Sequence, residues 1–76
     1  MSPKLSRVTA SELLRALRRD GWSGLRQSGS HVILGHQTKT GLVVVPMHEG
    51  KDLPTGLVSR VLNDAGLTAD DLRRLL

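Results

Sequence analysis

Three β-prone runs follow one another in this chain with only short polar segments between them. The runs are residues 22–27, 31–36 and 42–45, separated by Ser28-Gly29-Ser30 and by residues 37–41. Connections of this length can join antiparallel strands, but they cannot hold the crossover that parallel strands need. The spacing therefore predicts a three-stranded antiparallel meander whose third strand ends before Pro46.

A helix is predicted before the sheet. Thr9 and Glu12 have the spacing of a capping box, and Gly21 is suited to end the helix. An apolar stripe lies between them: Ala10, Leu13, Leu14 and Leu17. This stripe is typical of a helix with one buried face.

A second helix is predicted after the sheet, from Pro54 to Gly66, with Thr68 and Asp71 capping a last helical turn or two. Its expected core face is Leu53, Leu57, Val58, Val61 and Leu62. The order α-β-β-β-α predicts a two-layer α+β fold, with both helices on one face of the sheet. Double-stranded-RNA-binding domains have the same topology, and the fold leaves the other sheet face free for function.

The composition limits the function classes. With 76 residues we expect one domain, residues 1–76, and the absence of cysteine excludes disulfides and thiolate zinc sites. No apolar stretch has the length of a signal or membrane-spanning segment, so we expect a cytoplasmic protein. The net charge of +4 is concentrated in residues 1–26, which favours a polyanionic partner. Trp22 is the only aromatic residue among Phe, Trp and Tyr and is expected in the core, so the domain is poorly equipped to read RNA bases by stacking.

His31 is the leading candidate for chemistry. It follows Gly29 and Ser30, where the missing Cβ of glycine lets a phosphodiester approach. Histidine can accept and donate a proton near neutral pH, as attack by a ribose 2′-hydroxyl on phosphorus requires. The alternative is an ordinary surface histidine at a strand end. His36 and His48 are possible helpers or RNA contacts.

Other chemistries fit the sequence less well. His31 and His36 are five residues apart on one strand and so face opposite ways, which disfavours a shared metal ion. No Gly-x-Ser-x-Gly elbow supports a serine hydrolase, and no glycine-rich turn with a lysine supports a phosphate loop. We therefore expect no metal and no cofactor.

Several short motifs, in order, resemble the HicA family of bacterial toxins, small mRNA interferases. They are Gly21-Trp22, Arg26-Gln27, Gly29-Ser30-His31, His36, Val45-Pro46-Met47-His48, Lys51-Asp52-Leu53-Pro54, Gly56 and Ala65-Gly66-Leu67. The resemblance covers nearly the whole chain from residue 9 onward. Two positions depart from the family pattern: Leu57 replaces a frequent threonine after Gly56, and Gln37 replaces a frequent proline after the second histidine.

The resemblance implies a double-stranded-RNA-binding-like fold and metal-independent cleavage of transcripts, with His31 as the catalytic histidine and a HicB antitoxin as the inhibiting partner. We expect RNA contacts from Arg26, Gln27, Gly29, Ser30, Lys39, His48 and Lys51, with Arg60 as a further candidate for offsetting phosphate charge. Two alternatives remain: a non-catalytic RNA-binding module of the same fold, and an interaction domain that docks an acidic protein.

Overall fold

In the computed structural model, which describes residues 8–47 and 51–76, the first helix begins at the predicted capping box. The Glu12 backbone N–H donates to Thr9 Oγ1 (3.2 Å), and the Thr9 backbone N–H donates to Glu12 Oε1 (3.0 Å). These bonds satisfy N–H groups that a helix start leaves free. Donation from the Thr9 backbone also lowers the pKa of the Glu12 carboxyl below its usual value. Helix α1 then spans Ala10–Arg19.

The predicted antiparallel meander is confirmed. Strands β1 (Trp22–Ser28), β2 (His31–His36) and β3 (Val43–Pro46) form one sheet in the order β1-β2-β3. Strand β1 is one residue longer than predicted, and β3 begins and ends one residue later. Proline can close β3 because this is an edge strand, where a missing backbone donor is tolerated.

The register divides the sheet into an inner and an outer face. Trp22 lies opposite His36, and Leu34 lies opposite Val43, on the inner face. Trp22, Leu34 and Val43 are buried, as predicted for the tryptophan. Side chains alternate along a strand, so His31 and Ile33 lie on the outer face.

Two helices follow the sheet. Helix α2 (Thr55–Ala65) begins after Pro54 and ends at Gly66, whose φ of 71° is the left-handed conformation that glycine adopts readily. Helix α3 (Ala69–Leu75) begins at a second capping box, in which the Thr68 backbone N–H lowers the pKa of the Asp71 carboxyl.

The helices and the inner face of the sheet enclose the core. Helix α1 contacts β1 and β3, α2 contacts β3, and α3 packs against the other two helices. The core residues are Val8, Ala10, Leu13, Leu14, Ala16, Leu17, Trp22, Leu34, Val43, Val45, Leu53, Val58, Val61, Leu62, Ala65 and Leu72. The arrangement confirms the predicted α+β class and is compatible with a double-stranded-RNA-binding-like fold. Of the helices described, none has the length and apolar character needed to cross a membrane.

Candidate functional site

His31 is the first residue of the central strand and lies on the outer face of the sheet. It is exposed and stands between Ser28 of β1 and Pro46 of β3, its two partners in the register. The two residues before it, Gly29 and Ser30, form the turn that joins β1 to β2. The sheet thus presents the imidazole to solvent on the face opposite α1.

The backbone around His31 is held from both sides. On one side, β1 and β2 are linked by a two-residue turn, in which Gly29 has a φ of 59°. On the other, the Met47 backbone N–H donates to the Ser30 carbonyl oxygen at 2.6 Å. A Cβ added at Gly29 would meet no atom within 4 Å, so the space beside this turn is open. The position of the histidine is therefore fixed while its surroundings stay accessible.

A groove of about 320 Å³ lies beside His31, between the outer face of β3 and helix α2. Most of its lining is aliphatic and comes from both elements: Leu42, Val44, Pro46, Leu57 and Val61. Its polar lining consists of His31, Arg60 and Asp64. The groove therefore brings the predicted histidine together with one guanidinium group and one carboxylate.

Arg26 lies on the same face of the sheet as His31. Arg26 is opposite Ile33 on β2, and Ser28 is opposite His31, so Arg26 and His31 are diagonal neighbours across the two strands. Such neighbours are within reach of long side chains. Arg26 and the groove residue Arg60 thus place basic side chains toward both edges of the sheet around His31.

His36 has a different environment from His31. Its Nε2 lies 2.7 Å from the Asp20 carbonyl oxygen, and its Nδ1 accepts backbone N–H bonds from Thr38 and Lys39, each at 3.1 Å. These acceptor bonds assign the proton to Nε2, which donates to Asp20. The ring also packs edge-on against Trp22, with centroids 5.1 Å apart. The prediction that His31 and His36 face opposite ways is confirmed, and His36 holds the end of α1 against the hairpin loop.

Lys39 also binds within the protein. Its Nζ donates to Asp20 Oδ2 at 2.6 Å and to the Ala65 carbonyl oxygen at 2.9 Å. Lys39 belongs to the loop at the far end of β2, whereas His31 begins that strand. The structure therefore does not bring this predicted RNA contact to the histidine.

The other predicted RNA contacts lie at the turn between β1 and β2 and in the segment before α2. Gln27 and Ser30 are exposed, and Gln27 Nε2 donates to the Gly29 carbonyl oxygen at 3.2 Å. Lys51 is exposed and precedes Asp52, whose backbone forms an isolated antiparallel β-bridge with that of Thr9. His48 lies outside the described residues. Across residues 8–47 and 51–76, no three His, Cys, Asp or Glu side chains are grouped to hold a metal ion.

The basic side chains of α1 lie away from His31. This helix covers the inner face of the sheet, so its exposed Arg15 and Arg18 point away from the outer face. Arg19 donates to the carbonyl oxygens of Leu75 (2.7 Å) and Leu76 (3.1 Å) at the end of α3. Only part of the positive charge carried by the first 26 residues therefore lies near His31.

Asp64 lines the groove but was not among the residues predicted from the sequence. It follows Leu57, Arg60 and Val61 at the spacing of one helical stripe. That spacing could have placed Asp64 beside Arg60, but it does not reveal that the stripe faces β3.

Comparison with known protein families gives a match over most of the chain. A family model described as the HicA toxin of bacterial toxin-antitoxin matches residues 10–67. A comparison with curated proteins found no match. The matched range begins with α1, includes the whole sheet and α2, and ends before α3. Because this match covers more than half of the chain, the chain belongs to the HicA family of toxins from bacterial toxin–antitoxin systems.

Proposed function

We propose that this toxin is an endoribonuclease that cleaves transcripts in the bacterial cytoplasm without a metal ion, and that a HicB-type antitoxin blocks it. One observation carries the proposal: His31 is exposed on the open face of the sheet, beside a groove that also contains Arg60. A proton-transfer group next to a phosphate-binding cation is the minimum that cleavage through the ribose 2′-hydroxyl needs.

The reaction is an internal displacement at phosphorus. His31 accepts the proton of the 2′-hydroxyl while the 2′-oxygen forms a bond to phosphorus. The bond between phosphorus and the 5′-oxygen then breaks, and the 5′-oxygen takes up a proton from the imidazolium ion or from water. The products are a 2′,3′-cyclic phosphate and a 5′-hydroxyl end. A positioned proton-transfer group contributes about 10²–10⁴-fold to such a rate.

Arg26 and Arg60 are proposed to offset the charge that develops on the phosphate. Both are exposed, and neither forms an ion pair with another residue in the described part of the chain. Guanidinium groups suit this role because they remain charged and can bind two phosphate oxygens at once. Five further residues remain predicted RNA contacts: Gln27, Gly29, Ser30, His48 and Lys51.

An apolar patch on the outer side of the sheet supports a protein partner as well. Leu25, Leu42 and Val44 are exposed to 60%, 56% and 43%. Leu25 is the extra residue of a bulge in β1, and its side chain lies over Gly35 on β2. Apolar patches on small proteins commonly mark interaction sites. An antitoxin bound to this face would cover His31.

The test compares His31→Ala with Gln37→Ala, a control that changes an exposed polar residue in the loop at the other end of β2. Wild type and control are expected to cleave RNA in the presence of EDTA and to leave 5′-hydroxyl ends. His31→Ala should lose at least about 100-fold in rate while its thermal unfolding stays unchanged. Full activity in His31→Ala, or cleavage that needs a divalent ion and leaves 5′-phosphates, would refute the mechanism. Salt-dependent RNA binding without cleavage would instead identify a binding module.

A further inference from the structure

The groove between β3 and α2 has an apolar lining and two charged groups that proton transfer at His31 does not require. Its strand side consists of alternate residues, Leu42, Val44 and Pro46, which share the outer face. Its helix side is a single stripe of α2: Leu57, Arg60, Val61 and Asp64. Two aliphatic walls therefore face each other across a space that opens beside the histidine.

The size and lining of the groove suit a flat ring. Its volume of about 320 Å³ is near the lower end of small-molecule sites, which run from about 300 to 1,000 Å³. Aliphatic side chains can pack against both faces of a nucleobase, and this chain has only one tryptophan for stacking, which is buried. Because His31 lines the same groove, RNA with a 2′-hydroxyl at this imidazole has a base within reach of it.

We infer that the groove is a nucleobase subsite in which Asp64 selects bases that carry an exocyclic amino group over uracil. The inference rests on the proposed ribonuclease function. An ionised carboxylate only accepts hydrogen bonds, so it pairs well with the amino groups of adenine, cytosine and guanine. Uracil presents a carbonyl oxygen where cytosine has its amino group. The one donor on its pairing edge, N3–H, lies between two carbonyl oxygens, which repel a carboxylate that approaches it.

Charge in the groove favours a nucleotide over an apolar protein segment. Arg60 lies one helical turn before Asp64 on the same stripe, so the groove presents a cation for a phosphate and an anion for a base edge. Neither side chain has an ion-pair partner among residues 8–47 and 51–76. An apolar segment placed here would displace water from both charged groups and offer neither of them a hydrogen bond.

The test uses sixteen oligodeoxynucleotides that each contain a single ribonucleotide, so the cleavage position is defined. The set varies the base of that ribonucleotide and the base that follows it. At one of these two positions, wild type should cleave substrates with adenine, cytosine or guanine about tenfold or more faster than substrates with uracil. In Asp64→Asn this ratio should fall to within about threefold, because an amide can donate to the uracil carbonyl.

Asp70→Asn is the matched control, since it makes the same change on α3, where Asp70 pairs with Arg73 outside the groove. It should keep the wild-type preference. Equal rates for all four bases in wild type, or an unchanged preference in Asp64→Asn, would overturn the subsite. The same holds if Asp64→Asn weakens antitoxin binding while the cleavage ratios stay as in wild type, since the groove would then be a protein-docking site.

A binding measurement separates this inference from the ribonuclease proposal. In NMR titrations of the wild-type protein, cytidine 3′-monophosphate should shift the amide resonances of Leu42, Val44 and Leu57 at lower concentration than uridine 3′-monophosphate does. If no oligonucleotide is cleaved but this difference appears, the ribonuclease proposal fails and the subsite stands. If cleavage occurs but neither nucleotide shifts these resonances, the subsite is wrong and the ribonuclease stands.

Discussion

Replacing Lys39 by methionine keeps an aliphatic stem but removes an ammonium group that joins three segments of the chain. Lys39 lies in the loop between β2 and β3. Its Nζ donates to Oδ2 of Asp20, the residue after α1, at 2.6 Å. It also donates at 2.9 Å to the carbonyl oxygen of Ala65, the last residue of α2. A cation at this carbonyl also interacts favourably with the C-terminal end of the helix dipole. We expect Lys39→Met to destabilise the fold and to leave RNA cleavage intact.

The size of the effect follows from the exposure of the pair. A hydrogen bond to a charged group contributes about 1.5–3 kcal/mol when it is shielded from water. The Lys39 and Asp20 side chains are 34% and 22% exposed, so screening by solvent reduces that contribution. With two such bonds lost, we expect the free energy of unfolding to fall by about 1–2 kcal/mol. For a domain of this size, this corresponds to a decrease in Tm of roughly 5–15 °C.

Urea and thermal unfolding of Lys39→Met measure this loss, and Lys51→Met is the matched control. Lys51 is exposed, so the Tm of Lys51→Met should stay within about 2 °C of wild type. A double-mutant cycle with Asp20→Asn should give a coupling of about 0.5–1.5 kcal/mol. The reasoning would be refuted if Lys39→Met unfolds like wild type while the salt dependence of RNA binding loses about one phosphate contact.

Two further predictions concern the caps and the turn after α1. Gly21 has a φ of 106°, and a Cβ there would lie 2.6 Å from His36 Nε2, so Gly21→Ala should cost about 1–3 kcal/mol in urea unfolding. Gly24→Ala is its control, since a Cβ at Gly24 meets no atom within 4 Å; an equal loss in both variants would contradict the explanation. The lowered pKa values of Glu12 and Asp71 mean that these carboxylates stabilise the fold above their usual pKa. The free energy of unfolding should therefore fall as the pH decreases from about 5. The double variant Glu12→Gln, Asp71→Asn should weaken this pH dependence, measured by urea unfolding between about pH 6 and about pH 3. An unchanged pH dependence in the double variant would contradict the role of the two caps.

The secondary structure was predictable because its determinants are local. Thr9 with Glu12, and Thr68 with Asp71, are three residues apart, and both pairs form the reciprocal bonds that their spacing predicts. The residues of β2 are also those predicted, because a glycine turn precedes the strand and a polar loop follows it. The bulge at Leu25 was not predictable, since it depends on how β1 pairs with β2 and on the space above Gly35.

Local patterns also predict where His31 lies in the fold, but not which residues surround it. The Gly-Ser-His sequence and the alternation of β2 place the histidine at a strand end on a known face. Lys39 has the same charge as Lys51 in the sequence, yet it binds Asp20 and Ala65 because α1 and α2 both end near its loop. Whether a cation binds the protein or remains available to RNA depends on tertiary packing.

The same reasoning explains why Asp64 matters for testing the site. If His31 and the net positive charge were the only determinants, the cleavage rate would depend little on the base. Neither an imidazole nor a phosphate contact distinguishes one base from another. A carboxylate in the same groove changes this expectation, since it repels the phosphate backbone and can bind only a hydrogen-bond donor. If the groove holds RNA at all, Asp64 must either face a base edge or weaken binding. Cleavage that depends on the base, with a preference that Asp64→Asn removes, is therefore the result that distinguishes a base-reading groove from a merely cationic surface around His31.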